Sequence, residues 1–475
     1  MKKTIAIIGA GLAGSEAALQ LANRGYRVHI FEMRGFRQNP VHRTDQCAEL
    51  VCSNSLKSMK ENSAAGMLKT ELSLLGSHLL KYAYETQVPA GGALALNREA
   101  FSALVTNEIK NHSNIIYVCA EVLSLSPCGR LVLQDGNHGE SYEYDYDFDA
   151  LIMASGPLTS DALGEYLSSL TGSNRMAFFD AAAPIVMADS LNWDKVFTQN
   201  RYEDSETGDY VNAAFTQEEY EAFAKELIEA QCVIKKSFET KELFQACQPI
   251  EEIMRKGIDA PRFGPLKPVG IKDPFTGKRP WAVVQLRAED RAQQSYNLVG
   301  FQTNLTFPEQ KRVFRMIPGL ENAEFARYGV MHRNTFINAP KLLDSSLRLV
   351  EKEEKECASK IGKVELPLFV AGQLSGTEGY CEAIATGLYA SLSVSAFLEG
   401  IEMEPLPYYT ALGSLLSYAT NPETQDYQPM HVNFGLFEPI EPKIKNKQQR
   451  YSSYAKRGLV AMEAYCQSLK EKGLI

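Results

Sequence analysis

The chain has 475 residues, 45% of them hydrophobic and 23% charged, with a formal net charge of −9. That length exceeds one simple core and predicts two domains, one inserted in the other. No run approaches the roughly 18 apolar residues of a membrane span, so no membrane partner is expected, and the acidic balance excludes a general nucleic-acid coat while allowing a local basic face. Nine cysteines, an odd number with no CxxC pair, predict neither a disulfide framework nor a metal site and point to the reducing cytoplasm.

In chain order, Lys2-Lys3 precedes the apolar run Ile5 to Ile8. Glycine and a helix follow with no cleavage-type ending, so the run reads as a first strand rather than a signal peptide. Gly9 to Gly14 is a turn, Ser15 to Arg24 a helix closed by Gly25, and Arg27 to Glu32 a second strand. Ser63 to Tyr84 predicts a helix capped by Ser63 and broken at Gly76, and Glu99 to Asn111 another. Val122 to Tyr146 reads as a strand excursion with a hairpin signal at Asp135-Gly136. Asp149 to Gly156 is a strand ending at glycine. From Ala181 to Tyr328 the texture changes: a charged helix at Glu218 to Glu229, Pro- and Gly-rich loops from Pro261 to Pro280, then strands at Trp281 to Leu286 and Asn297 to Phe301. Leu368 to Gly372 repeats the buried strand ending at glycine, Glu382 to Leu398 is a helix facing the sheet, and the C-terminal part is helical and basic.

The turn Gly9-Ala10-Gly11-Leu12-Ala13-Gly14 sits between a strand and a helix, and an acid, Glu32, ends the next strand. Gly9 permits the tight turn, Gly11 lets the backbone approach a pyrophosphate, and Gly14 lets the helix pack on the strand. The phosphates meet the positive end of the helix, and Glu32 is placed to accept from ribose hydroxyls. Many two-dinucleotide flavoproteins put FAD on such an N-terminal unit, with two later apolar strands ending in small-residue-glycine turns. Ala154-Ser155-Gly156 and Ala371-Gly372-Gln373 fit those places, which favours FAD over NAD. The predicted fold is therefore α/β. An FAD-binding Rossmann-type domain of glutathione-reductase-like kind spans residues 1–180 and 329–475, with a smaller α/β domain, 181–328, inserted on the substrate side.

Further segments carry a resemblance: AELVCSNSLK at Ala48, VPAGGALALNREAF at Val88, FQACQPIE at Phe244, FGPLKPVG at Phe263, NLVGFQTNL at Asn297 and AGQLSGTEGYCEA at Ala371. With GAGLAGSEAA and FEMR they closely resemble the folate- and FAD-dependent tRNA (uracil-5-)-methyltransferase family, often called TrmFO, from residue 4 to about 457. The resemblance implies methylenetetrahydrofolate as carbon donor, FAD reduced by NADPH or NADH, and a T-loop uridine in the T arm of tRNA as acceptor. It maps the family's functional cysteines onto Cys52 and Cys247, with Cys247 as the nucleophile at uracil C6 and Cys52 as a flavin-proximal partner. A thiolate suits this chemistry, because attack at C6 turns C5 into an enolate-like carbon. Cys47, Cys232 and Cys381 stand where the family pattern does not call for cysteine and read as structural.

Folate presents a pterin, which stacks, and an anionic tail, which needs cations. Lys267, Lys278, Arg279 and Arg287 lie in a suitable loop-rich region, each with the plain alternative of a solvated charge. His332 in MHRN is a candidate to stack or hydrogen-bond over flavin and folate, or a structural histidine. From Lys443 to Arg457 six cations occur in 15 residues with no acid, interleaved with Tyr451 and Tyr454, which reads as a phosphate-contacting strip or a solvated helix face. Several motifs depart from the family pattern, as where FEGCMPIE becomes FQACQPIE. Two alternatives stand beside tRNA methylation: the same chemistry on a ribosomal RNA uridine, and a non-catalytic RNA-binding flavoprotein.

Overall fold

The computed structural model describes residues 2–37, 41–126, 128–171, 176–203, 208–234, 248–350, 366–425 and 427–475. Its centre is a five-stranded parallel sheet in the order Leu368–Val370, Ala150–Met153, β1 (Thr4–Ile8), β2 (Arg27–Glu32) and Ile115–Cys119. Every residue of β1 and of Ala150–Met153 is buried, as expected of parallel strands covered on both faces. Helix α1 (Leu12–Asn23) is buried from Leu12 to Ala22 and packs along Tyr380–Glu399. The latter helix is long and apolar enough to cross a membrane, but its apolar length is spent against its own chain, buried at most positions from Cys381 to Ala396.

A second, antiparallel sheet of six strands has the order Val196–Thr198, Tyr210–Phe215, Ala282–Ala288, Ser295–Leu298, Ile185–Met187 and Phe325–Arg327. It buries its own core, including Phe215, Phe223, Phe301 and Phe314, beneath helices Gln217–Glu229, Ile250–Lys256 and Phe307–Phe314. Thr216 and Glu219 form a reciprocal capping box at the first of these helices. A two-stranded ribbon, Met176–Ala181 against Met331–Phe336, pairs the chain as it enters and leaves this sheet.

The helix foreseen from Ser63 to Tyr84 with a break at Gly76 is found as two helices, Ala64–Leu74, capped by Ser63, and His78–Glu85, capped by Ser77, with Gly76 between them at φ +75°. One local expectation changes. Asp135-Gly136 makes no tight hairpin. The Asp135 carboxylate accepts from Asn137 N, His138 N and the Tyr142 hydroxyl, which holds a wider loop between Leu131–Gln134 and Tyr142–Glu143. The seven cysteines among the described residues are free thiols.

Glu251, fully buried at the start of Ile250–Lys256, accepts from Asn304 N at 2.6 Å, and its other oxygen lies 3.0 Å from the Thr303 hydroxyl. Burial outweighs these bonds and pushes its carboxyl up to about 7. The native state then holds a proton that the unfolded chain has released, so this contribution to stability is present below the ordinary carboxylate pKa and is lost as pH rises through about 7. Denaturant unfolding from pH 5 to 8 is expected to show a loss of roughly 1–3 kcal/mol from this group. Glu251→Gln, which mimics the protonated acid, should flatten the profile; an unchanged slope would refute the assignment.

Candidate functional site

The turn after β1 opens one end of a cavity. Gly9 has φ +99°, and a Cβ there would come within 2.5 Å of the Ala154 carbonyl oxygen, where the neighbouring strand ends. At Gly14 a Cβ would lie 1.9 Å from the Gly9 carbonyl oxygen, so only glycine lets α1 start this close to the turn. Gly11, the residue before α1, is different: nothing lies within 4 Å of where its Cβ would be, and no side chain caps the helix. The helix N-terminus is thus left open towards the cavity, as a pyrophosphate requires.

Glu32 lines the cavity beside this turn and is nearly saturated. Oε2 accepts from Ala10 N at 2.8 Å and an Arg34 Nη2 at 3.0 Å; Oε1 accepts from Arg34 N at 3.1 Å and stands 3.0 Å from Arg34 Nε. Burial raises the Glu32 pKa, but the Arg34 guanidinium and these bonds outweigh it and hold the carboxyl below its usual range. All four acceptor positions are therefore in use, whereas Arg34 Nη1 is buried with no hydrogen-bond partner and lies in the cavity wall. Arg34 Nη1, 3.9 Å from Glu49 Oε2, is a further donor beside Glu32, the residue that the sequence alone suggests for a ribose.

Cys52 lines the same cavity, in a loop fastened from three directions. Tyr380, at the start of Tyr380–Glu399, accepts from Cys52 N at 2.9 Å and Ser53 N at 3.1 Å through its hydroxyl oxygen. Arg98, paired with Glu289, donates to Leu50 O at 2.6 Å. Arg287, buried on Ala282–Ala288, donates to Asn54 Oδ1 at 2.7 Å and Ser53 Oγ at 3.0 Å. The Cys52 thiol points at Ala181 O, 3.5 Å away, where the ribbon joins the second sheet. Arg287 thus carries the position of the antiparallel sheet into the cysteine loop. Arg287→Met would strand the buried Asn54 Oδ1 and the half-buried Ser53 Oγ and is expected to cost about 2–4 kcal/mol; an unfolding midpoint equal to wild type would contradict this.

Asp180 and His332 also line the cavity, cross-strand partners on the ribbon with Oδ2 and Nε2 3.8 Å apart. Burial lowers the His332 pKa against the pull of Asp180. Glu378 is buried nearby, and its carboxyl is pushed well up by burial and by Asp180. Buried polar atoms of the wall without a hydrogen-bond partner include Asn334 Oδ1, Gln373 Nε2, Glu378 Oε2 and Glu382 Oε2 as well as Arg34 Nη1. Buried polar atoms are rarely left unsatisfied, so this wall is chemically fitted to a ligand with both donors and acceptors. Gly372, at φ +72°, approaches Ala13 so closely that a Cβ would come within 2.9 Å of its Cβ.

A profile of the family described as glucose inhibited division protein A matches residues 4–402. The methylenetetrahydrofolate--tRNA-(uracil-5-)-methyltransferase TrmFO of Bacillus pumilus is 46% identical over 99% of this chain and 100% of its own length, and that of Bacillus subtilis 44% identical over 98% and 100%. The chain belongs to the TrmFO family. GidA of Aquifex aeolicus has the same fold, with a TM-score of 0.66 at 15% identity over 98% of this chain and 74% of its own.

The TrmFO motifs converge unevenly. Gly9, Gly11, Leu12, Ala13, Glu32, Gly156, Gly372, Gln373, Cys52 and His332 all line the one cavity. Ala10 and Gly14 are not among its lining residues. Arg287 and Lys267 are not in its wall; Lys267 stands on the antiparallel sheet's loops with Nζ 5.8 Å from the Tyr202 ring centre. Cys247 lies outside the described residues. The described chain on either side of it returns to one place, Ile234 N to Asn304 Oδ1 at 3.1 Å and Ile250 N to Gln302 O at 2.7 Å, and Gln302 lines the cavity. Cys381, read as structural, also reaches the cavity wall, but burial pushes its thiol up to about 11 and keeps it protonated. Sequence reasoning missed Arg34, Tyr380, Asn334 and Glu378, although FEMR and GTEGY carry three of them.

Proposed function

We propose that this TrmFO chain methylates C5 of a T-loop uridine in tRNA, in the cytoplasm, with methylenetetrahydrofolate as carbon donor, FAD in the glycine-turn cavity and NAD(P)H as reductant. The observation that carries the reading is the placement of Cys52 in the same cavity as the glycine turn, in a chain 46% identical to a TrmFO over 99% of its length. FAD supplies the redox chemistry. The open N-terminus of α1 would hold its pyrophosphate, Arg34 and Glu32 would stand at its ribose, and Gln373 and Asn334 would offer polar atoms to its ring.

The resemblance gives Cys247 the attack on uracil C6. Its sulfur–C6 bond forms as the C5=C6 pair moves towards O4, and C5 then bonds to the donated methylene; loss of the C5 proton breaks the bond between that carbon and its nitrogen carrier, and a hydride originating in NAD(P)H adds to the exocyclic methylene as the thiolate leaves C6, giving the methyl group. Cys52, held by Tyr380 and the Arg287-anchored loop, handles the one-carbon unit on the flavin side. The test is donor dependence. Unmodified tRNA should gain 5-methyluridine only when methylenetetrahydrofolate and NAD(P)H are both supplied; methylation from S-adenosylmethionine in their place would overturn the reading.

A further inference from the structure

The antiparallel sheet carries a second surface outside the cavity. From Ala260 to Trp281 the chain has five cations, Arg262, Lys267, Lys272, Lys278 and Arg279, and one acid, Asp273. That acid is buried, and its carboxylate accepts from Phe275 N and Thr276 Oγ1 of its own turn. This concentration of positive charge stands on a chain whose net charge is −9.

Aromatic rings lie open among the cations: Phe263 is 85% exposed, Tyr202 70% and Phe275 59%. Single exposed apolar residues are ordinary, but a group of rings set among cations marks a recognition surface. The loops are held firmly. Arg201 donates to Lys267 O, Val269 O and Gln285 Oε1, Val283 N donates to Leu266 O, and the Arg262 guanidinium lies 3.7 Å from the Trp281 ring centre. Tyr202 rests on Gly270, where a Cβ would come within 2.8 Å of its ring. The surface also adjoins the cavity: Pro265 packs on Gly300, leaving no room for a Cβ there, and Gln302, two residues on, is in the cavity wall.

We propose that this face receives the RNA substrate, with bases stacking on Phe263, Tyr202 and Phe275 and phosphates meeting Lys267, Lys272, Lys278 and Arg279, Arg262 being held by Asp259 and Trp281. The inference rests on the RNA-methylating function proposed above. A small anionic ligand such as folate needs a concave site, whereas these rings stand out from the surface, and the alternation of ring and cation matches that of base and phosphate. The C-terminal strip is less free to bind phosphates, because its arginines are engaged within the chain. Arg457 donates to Glu438 O and lies 4.4 Å from the Tyr409 ring centre, and Arg450 donates to Ile444 O.

The experiment is filter binding of an unmodified tRNA transcript by the full-length, FAD-loaded protein over a range of salt, with methyl transfer measured in parallel. Phe263→Ala should raise Kd about 5- to 100-fold, and Phe263→Trp should restore it. Lys278→Ala with Arg279→Ala should lower the slope of log K against log salt by about 1.4, at about 0.7 for each lost phosphate contact. If wild type methylates the transcript and the variants keep its Kd and slope, this surface is wrong and the function stands. If the variants raise only the KM for methylenetetrahydrofolate, the face serves the donor and the proposal is overturned. Wild type that neither binds nor methylates RNA would remove both.

Discussion

Cys52→Ser is expected to lower methyl transfer by a factor on the order of 10³ or more, with FAD content and the unfolding midpoint close to wild type. The thiol is half-buried, faces the cavity, and makes only one long contact, to Ala181 O at 3.5 Å, so exchanging sulfur for oxygen removes little packing. Its loop is held by Tyr380, Arg98 and Arg287 through groups other than the thiol, and these remain in the variant. The effect must therefore fall on chemistry, since an alcohol is both a weaker nucleophile and a poorer leaving group at neutral pH. The checks are single-turnover transfer to tRNA and the bound-flavin spectrum. Loss of flavin together with activity would make Cys52 a structural residue.

Gly387→Ala is expected to destabilise the protein by about 3 kcal/mol or more and to strip it of FAD. Gly387 lies mid-way along Tyr380–Glu399, where glycine costs a helix about 1 kcal/mol relative to alanine. An added Cβ would meet the Ala13 carbonyl oxygen at 2.2 Å and the Ala13 Cα at 2.8 Å. Both belong to the first turn of α1, which is buried and cannot retreat, so the long helix must move away from the glycine turn. Unfolding midpoint and FAD stoichiometry are the measurements. A variant as stable and as yellow as wild type would mean the two helices are not in contact here.

What was legible in the sequence was local. The glycine turn, the acid ending β2 and the cap at Ser63 depend on residues a few places apart, and spacing alone carries them. The inserted sheet was visible as a change in texture, and its first helix was placed to within a residue. What was not legible runs across the fold. Tyr380 reaches Cys52 from 328 residues away and Arg287 reaches Asn54 from 233, and neither pairing leaves a periodic trace. Arg34 was overlooked because a residue just past a strand reads as loop, although its guanidinium meets both carboxylate oxygens of Glu32. Arg287 and Lys267 were both read as cations for an anionic tail. Burial turns Arg287 into an anchor for the cysteine loop, and Lys267 stands on an outward loop beside Tyr202. Gly387 reads as a poor residue in a good helix until its neighbour is known to be a carbonyl oxygen of α1.

The most direct measurement follows the carbon itself. Methylenetetrahydrofolate labelled in its methylene carbon is incubated with the FAD-loaded protein, NADPH and unmodified tRNA, and the RNA is digested and its nucleosides separated. The cavity shared by the glycine turn and Cys52 predicts label in 5-methyluridine from the T loop with wild type and none with Cys52→Ser. Label in ribosomal RNA alone would contradict the substrate, and label absent from every RNA would contradict the chemistry.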